Sequence, residues 1–320
     1  MAGPLIVVTD SPFPNLDPAK AALARLNPEI VQAKSGSQED ILAAARDADG
    51  ILVTYAQLTG ELLRQLNKVK AIGRFGIGVD NIDLKAAGEL GIQVNYVPDY
   101  CFDEVSDQAM AMLVAMARKV VLANALVQAG RWEMPALVPM RRLRGQVVGL
   151  VGFGNIPRIM TPKAQAFGFE VIAFDPYAPD ELFEKHNVRA VTMDELLAES
   201  DFVSVHAPLT PETRGLLNAD AFQKMKNTAV VVNTARGPLI NEADLIAALD
   251  AGEIGGAALD VVETEPLPAG SPLIGRDNVI LAPHTAFYSV EALEELQTKA
   301  ASDVARVLSG EPALYPIKAS

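Results

Sequence analysis

One cysteine, three histidines, one tryptophan and an aromatic share of 6% leave several kinds of chemistry without material in this 320-residue chain. Cys101 alone excludes an internal disulfide, and together with three histidines it supplies no zinc cluster of usual spacing, so no metal centre is expected. Basic residues are outnumbered, 27 Lys and Arg against 40 Asp and Glu, for a net charge of −13 without long single-sign blocks. Such a surface repels phosphate backbones and anionic lipids, so neither nucleic acid nor membrane is expected as a partner. No apolar run approaches the ~18 residues of a membrane span. The opening apolar run Leu5–Val8 is strand length and has no basic residue before it, unlike a secretory signal. A reduced, cytoplasmic setting is the reading that fits all of these. Tandem repeats and low-complexity segments are also missing.

What the chain has is apolar mass. Half of it is hydrophobic and 21% is charged, which at this length predicts two globular units with sizeable cores. Leu5–Val8 and Ile51–Thr54 read as buried strands, each followed by a helical pattern, Ala19–Leu26 and Glu61–Leu66, the alternation of a parallel α/β sheet. The turn-rich stretch between Val94 and Phe102 leads into a helical pattern over Asp103–Val121, where Met110, Met112 and Met116 are core packing. From Gln146 a regular series follows: strands Val147–Val151, Val171–Phe174, Phe202–Val205, Ala229–Val232, Ala257–Leu259 and Val279–Leu281. Between them lie a helix running to Phe167 and stopped by Gly168, a helix opened by the Thr192–Glu195 capping box, and helices Ala219–Met225 and Glu242–Leu249. A last helix, Val290–Leu308, ends at Ser309, Gly310 and Pro312.

A glycine pattern sits where a dinucleotide loop belongs, directly after the strand Val147–Val151 and opening a helix. Gly152 allows the tight turn, and Gly154 lets the backbone approach a pyrophosphate at the positive end of the helix dipole. Asp175 follows Gly154 by 21 residues at the end of the next strand, placed to accept both ribose hydroxyls and to repel a 2′-phosphate. Pro176 and Tyr177 come next rather than a basic residue, so NAD(H) is favoured over NADP(H). Pro157 stands where the fingerprint has its third glycine; a helix's first turn tolerates proline, and cofactor binding is expected to survive with a small displacement of the helix.

Three later segments each place a charged or titratable group just after an apolar strand: Arg236, Glu265 and His284. The carboxyl ends of parallel strands line the ligand crevice, so these groups can converge there. Oxidising a secondary alcohol needs a base for the hydroxyl proton, and imidazole, with an ordinary pKa near ~6.5, suits His284 to that task. Glu265 can orient the ring, and Arg236 can hold a substrate carboxylate in its planar fork. Taken singly, each has a plain alternative: a surface ion pair for Arg236, a solvated loop charge for Glu265, a satisfied histidine for His284. His206 also ends a strand and is a candidate floor for the cofactor site, whereas His186, in a polar turn, reads as surface. Cys101 reads as a packed crossing residue rather than a nucleophile.

Together these segments resemble the D-isomer-specific 2-hydroxyacid dehydrogenases over essentially the whole chain. The pieces that carry the resemblance are Gly76–Asp83 (GIGVDNID), the GFGNIP loop with Asp175, HAPLT at 206–210, NTARG at 233–237, ETEP at 263–266 and PHTA at 283–286. The resemblance implies two doubly wound parallel-sheet α/β domains. One is a flavodoxin-like substrate (catalytic) domain made of 1–100 and 288–320, the other a Rossmann NAD-binding domain over 101–287. It implies that Arg236, Glu265 and His284 are the catalytic set. It further implies that Asn155, Ile156, Asp175, His206, Ala207, Pro208, Thr234, Ala235 and Asp260 contact NAD, besides Gly152 and Gly154. The amides of Gly76, Ile77 and Gly78 would receive the substrate carboxylate, with Phe287 as the aromatic neighbour of the substrate. A homodimer formed through the central domain is implied too, and the Gly130–Glu133 arm with Trp132 suits such a contact.

The Ala173–Tyr177 and His284–Ser289 segments look closest to the branch that holds the C-terminal-binding corepressors. Phosphoglycerate dehydrogenases are also similar, but Leu52–Tyr55 lacks the Arg those enzymes often carry after the strand, which disfavours a phosphorylated substrate. Nothing after the last helix resembles a regulatory domain, so the serine-feedback form is not expected. Two functions stay open at this point: NAD-dependent interconversion of a small 2-oxo acid (glyoxylate, hydroxypyruvate or a pyruvate-like acid) and its D-2-hydroxy acid, or an NAD(H)-sensing corepressor-like scaffold with little turnover.

Overall fold

A computed structural model describes residues 3–317, and within it the chain divides into two compact units: residues up to Tyr100 together with those from Ser289 onward, and Cys101–Tyr288. The first unit carries a five-stranded parallel sheet of β1 (Leu5–Val8), β2 (Glu29–Gln32), β3 (Gly50–Val53), β4 (Ala71–Arg74) and β5 (Gln93–Asn95), in the order β2-β1-β3-β4-β5. That order is flavodoxin-like, with its switch point between β1 and β3. All four residues of β3 are buried, as a parallel strand covered on both faces requires. The helix Val290–Leu308 returns from the far end of the chain to pack on this sheet. A side chain at Gly73 of β4 would run into Val304 at 2.8 Å and the Ala300 carbonyl at 2.9 Å, so glycine is what lets that helix approach.

The second unit holds a seven-stranded parallel sheet: β6 (Val147–Val151), β7 (Glu170–Phe174), β8 (Arg189–Ala190), β9 (Phe202–Val205), β10 (Val230–Asn233), β11 (Gly256–Leu259) and β12 (Val279–Leu281). Its order, β12-β11-β10-β9-β6-β7-β8, is the Rossmann order with one further strand at the far edge, and its switch point lies between β6 and β9. Successive residues of β10 enter opposite cores. Val231 packs with Leu196, Phe222 and Leu245, while Val230 and Val232 pack with Met110, Leu113, Phe153 and Met160. Met110 and Met112 are core residues and Met116 packs against the same cluster.

The first sheet contains three strands, β2, β4 and β5, that the sequence reading does not name; the other differences are local. The helix expected over Asp103–Val121 spans Phe102–Ala117, breaks at Lys119 in left-handed conformation (φ 51°), and gives way to a second helix, Val120–Gln128, that buries only Leu126. The seventh strand, β8, is two exposed residues long and has no hydrophobic pattern to reveal it. Among the described residues no single helix is long and apolar enough to cross a membrane.

Candidate active site

The glycine loop sits at the switch point of the second sheet. Gly152, directly after β6, has φ +94°, and a Cβ there would lie 3.1 Å from both the His206 carbonyl carbon and the Ala207 nitrogen, in the segment that leaves β9. Conformation and space both require glycine. The helix Asn155–Ala166 then starts with Gly154 as its N-cap and no side chain on its first amides. Pro157 lies buried in the first turn, where its missing N–H removes no helical hydrogen bond. The helix runs unbroken to Ala166 even though Pro162 also sits within it.

Asp175 holds the loop and its own turn at once: Oδ2 accepts the Phe153 N–H at 2.8 Å and Oδ1 the Tyr177 N–H at 2.9 Å. The turn-capping role and the position beside the glycine loop are therefore both present. A dinucleotide fits the residues found here. Gly154 and Asn155 are exposed, and a Cβ on Gly154 would meet no atom within 4 Å. The hydroxyl of Thr234, just beyond β10, is buried with no hydrogen-bond partner. His206 closes β9 with Nε2 2.9 Å from the buried Ser204 hydroxyl, and burial pushes its pKa down to about 4, so it is neutral at physiological pH. Ala207 is partly buried, Pro208 is exposed, and Ile156 and Ala235 are half-buried.

The three candidate catalytic groups share the second unit. His284 Nδ1 lies 2.7 Å from Glu265 Oε2, and the other oxygen of Glu265 accepts the Val262 N–H at 3.1 Å. Partial burial works to raise the Glu265 pKa, but the His284 hydrogen bond and charge, the Val262 amide and the nearby Arg236 charge outweigh it and hold the carboxyl below its ordinary range. An ionised Glu265 only accepts hydrogen bonds, so Nδ1 carries the proton and Nε2 is the nitrogen that takes or gives one. Phe287 stands edge-on to the imidazole with ring centroids 6.2 Å apart.

His284 itself has φ +54°, a left-handed conformation that costs a non-glycine residue on the order of 1 kcal/mol. Asp260 holds it there. The His284 N–H donates to the Asp260 carbonyl at 2.8 Å, and the buried carboxylate accepts the N–H groups of Thr285 and Ala286, each at 2.9 Å. Asp260, read from the sequence only as a cofactor contact, thus shapes the histidine loop from the end of β11.

Arg236 follows β10 in extended backbone, its Nη1 donating to the Ala235 carbonyl at 2.8 Å. Next to it, a Cβ on Gly237 would sit 1.8 Å from the Val262 carbonyl oxygen, so glycine permits the arginine loop to lie against the segment that leads to Glu265.

In the first unit, Gly76–Gly78 form the loop after β4. Gly76 has φ +149°, and the Arg74 guanidinium occupies the space a Cβ would need. At that sheet's switch point, Asp10 accepts the N–H groups of Thr54, Tyr55 and Ala56, which fixes the loop after β3. Neither the Asp10 clamp nor the Asp260 brace was read from the sequence, although an aspartate at a strand end is a usual turn-former. His186, read as surface, corrects to a packed residue. Its Nδ1 is 2.8 Å from the Leu182 carbonyl and its ring stands perpendicular to Phe153, an aromatic contact invisible in a polar local sequence. Cys101 is buried at the start of the Phe102–Ala117 helix.

The chain is similar to known proteins over most of its length. Residues 110–286 match the family described as D-isomer specific 2-hydroxyacid dehydrogenase, NAD binding domain. The D-3-phosphoglycerate dehydrogenase of Methanocaldococcus jannaschii is 38% identical over 88% of this chain and 54% of its own length. The glyoxylate reductase of Thermofilum pendens is 36% identical over 87% of this chain and 84% of its own. Among solved structures, the TT0316 protein from Thermus thermophilus superposes with a TM-score of 0.90 at 32% identity, covering 98% of this chain and 100% of that one. The chain spans about half the length of the phosphoglycerate dehydrogenases it matches. Two parallel sheets of these orders, a glycine loop at the Rossmann switch point and similarity along most of the chain lead to one conclusion: the protein belongs to the D-isomer-specific 2-hydroxyacid dehydrogenase family.

Proposed function

We propose that the protein is an NAD(H)-dependent oxidoreductase that interconverts a small 2-oxo acid and its D-2-hydroxy acid. The observation that carries this reading is the 2.7 Å contact between His284 Nδ1 and Glu265, with Arg236 close enough to help hold that carboxyl ionised. In the reducing direction, imidazolium Nε2–H donates a proton to the carbonyl oxygen, and Arg236 binds the substrate carboxylate and polarises the carbonyl. In the oxidising direction neutral Nε2 takes the hydroxyl proton and Glu265 stabilises the cation formed. Bound NAD(H) supplies or accepts the hydride. Gly152, Gly154, Asn155 and Ile156 would hold its pyrophosphate, and Asp175 its adenosine ribose. His206–Pro208, Thr234, Ala235 and Asp260 would line the rest.

Asp175 favours NAD(H) over NADP(H), because a carboxylate there repels a 2′-phosphate. On the substrate side we assign Gly76, Ile77 and Gly78 as carboxylate receivers and Phe287 as the aromatic wall. Tyr55, rather than an arginine, lies in the loop after β3, which supports glyoxylate, hydroxypyruvate or a pyruvate-like acid over a phosphorylated one. We assign the substrate role to the first unit and the cofactor role to the second, a homodimer as the working form, and the cytoplasm as its setting.

The test is NADH consumption, with NADPH as control, across 2-oxo acids from glyoxylate through hydroxypyruvate and phosphohydroxypyruvate to bulkier acids. NADH-dependent turnover that falls about 10²- to 10⁴-fold in His284→Gln while NADH still binds supports the reading. NADH binding without turnover of any acid replaces it with a redox-sensing scaffold, and unchanged turnover in both His284→Gln and Arg236→Ala overturns the site.

A further inference from the structure

We infer that Asn233 is the positioning residue for Arg236, an assignment that rests on the proposed dehydrogenase reading for its kinetic consequences but not for its geometry. Asn233 is the last residue of β10 and is fully buried. Its side chain uses both ends on the backbone that carries the arginine. Oδ1 accepts the Ala235 N–H at 3.0 Å, and Nδ2 donates to the Arg236 carbonyl at 2.9 Å. The amide therefore bridges two peptide groups of the turn between β10 and the arginine and does the work of a missing strand partner.

Three features give this bridge a function beyond stability. The segment between Asn233 and Arg236 holds Thr234, whose buried hydroxyl has no hydrogen-bond partner, so the turn is shaped to present groups rather than to satisfy them. Arg236 sits in extended backbone, with φ −145° and ψ 136°, and the direction in which its guanidinium leaves the sheet is set by the peptide plane that Nδ2 holds. On the other side Gly237 abuts the Val262 carbonyl, and the Val262 N–H donates to Glu265. Arg236 is thus fixed from both flanks, by Asn233 before it and by the backbone contact after it. The second flank registers the arginine against the carboxylate that orients His284. A guanidinium that binds a carboxylate through two parallel hydrogen bonds tolerates little misplacement, and an error of an ångström is enough to lose most of the benefit.

The experiment uses the full chain and two variants. Asn233→Ala removes both hydrogen bonds; Asn233→Asp keeps the acceptor for Ala235 and loses the donor to Arg236. Each is expected to lower kcat/KM for the preferred 2-oxo acid about 10- to 100-fold, mostly through KM, while Asn233→Asp, which keeps the Ala235 hydrogen bond, leaves NADH affinity by fluorescence titration unchanged within about twofold. On an Arg236→Ala background the same substitutions should cost nothing more, because the group they position is gone. Equal losses on both backgrounds, or a loss confined to NADH affinity, overturn the assignment and leave Asn233 a structural residue. If the wild-type protein turns over no 2-oxo acid, the dehydrogenase reading fails alone, and the crystal structure of Asn233→Ala decides the positioning role. A displaced Arg236 side chain supports it, and an unmoved one overturns it. Should neither variant fold, exchange of the Asn233 side-chain amide protons in the wild-type protein decides: slow exchange supports the bridge, and exchange at the rate of an exposed amide overturns it.

Discussion

Glu265 holds His284 with one carboxylate oxygen and the Val262 amide with the other, so the base and the loop beside the arginine hang on a single side chain. Its carboxyl lies below the ordinary value of 4.5, and a depressed carboxyl stabilises the fold above its unfolded pKa and loses that contribution as pH falls through the folded one. Wild-type stability should therefore drop below about pH 4.5, in the acid range where Glu265 takes up its proton. Glu265→Gln has no proton to gain and should show a shallower loss between pH 5 and pH 3 in thermal melts, while its turnover at neutral pH falls. A parallel acid profile in the two proteins would mean that the carboxylate is not held by its partners.

The Asp260 brace makes a different demand. Its carboxylate answers the amides of Thr285 and Ala286, and its carbonyl answers His284, the residue with positive φ. Hydrogen bonds to a buried charged acceptor are worth about 1.5–3 kcal/mol each, and orphaned amides add their own cost. Asp260→Ala should cost about 3 kcal/mol in denaturant unfolding and nearly abolish turnover. Asp260→Asn, which retains one acceptor, should fall between. A variant that melts like wild type would show that the histidine loop keeps its shape without the brace.

How much of this was legible in the sequence depends on range. The Thr192–Glu195 capping box and the Gly168 stop are read from near neighbours in the chain, and each is found where the pattern lies. The last helix, Val290–Leu308, and the strands β1, β6, β9 and β12 have the bounds their apolar runs suggest. The candidate triad could be listed, because each member follows a strand. Its bracing could not: Asp260 reaches 25 residues ahead to Thr285, and Glu265 reaches 19 to His284. Asn233 is local, yet its amide looks like any polar residue until its burial is known. The break at Lys119 has no glycine or proline to announce it; tertiary packing of the Phe102–Ala117 helix against the sheet overrides a pattern that favours continuation.

His206 loses its proton for another reason than Glu265. Burial lowers its pKa from 6.5 to about 4, so the unfolded chain binds a proton there before the folded one does. The contribution of neutral His206 is complete above pH 6.5 and is withdrawn as pH falls toward 4. Denaturant midpoints at pH 7 and pH 5 should differ more for wild type than for His206→Gln, which can still bond Ser204. This window lies above that of Glu265, so the two effects separate on the pH axis. Equal pH 7-to-pH 5 differences in the two proteins would place the ring in contact with water.

The helix Val120–Gln128 and the segment after it expose several large apolar side chains. Val120, Val121 and Val127 are each about half exposed, Met134 is 70% exposed and Trp132 89%. Exposed large apolar side chains suit a contact with another protein, and a second copy is the partner proposed above. Tryptophan at the centre of such a contact is the usual anchor, worth about 2 kcal/mol or more when truncated. Trp132→Ala together with Val121→Ser should raise the dimer dissociation constant at least about 30-fold in sedimentation velocity. The secondary structure should not change, because only Leu126 of that helix is buried in the protomer. A wild-type protein that sediments as a monomer at micromolar concentration would remove the dimer from the proposal. A dimer that survives both substitutions would move its interface to another face.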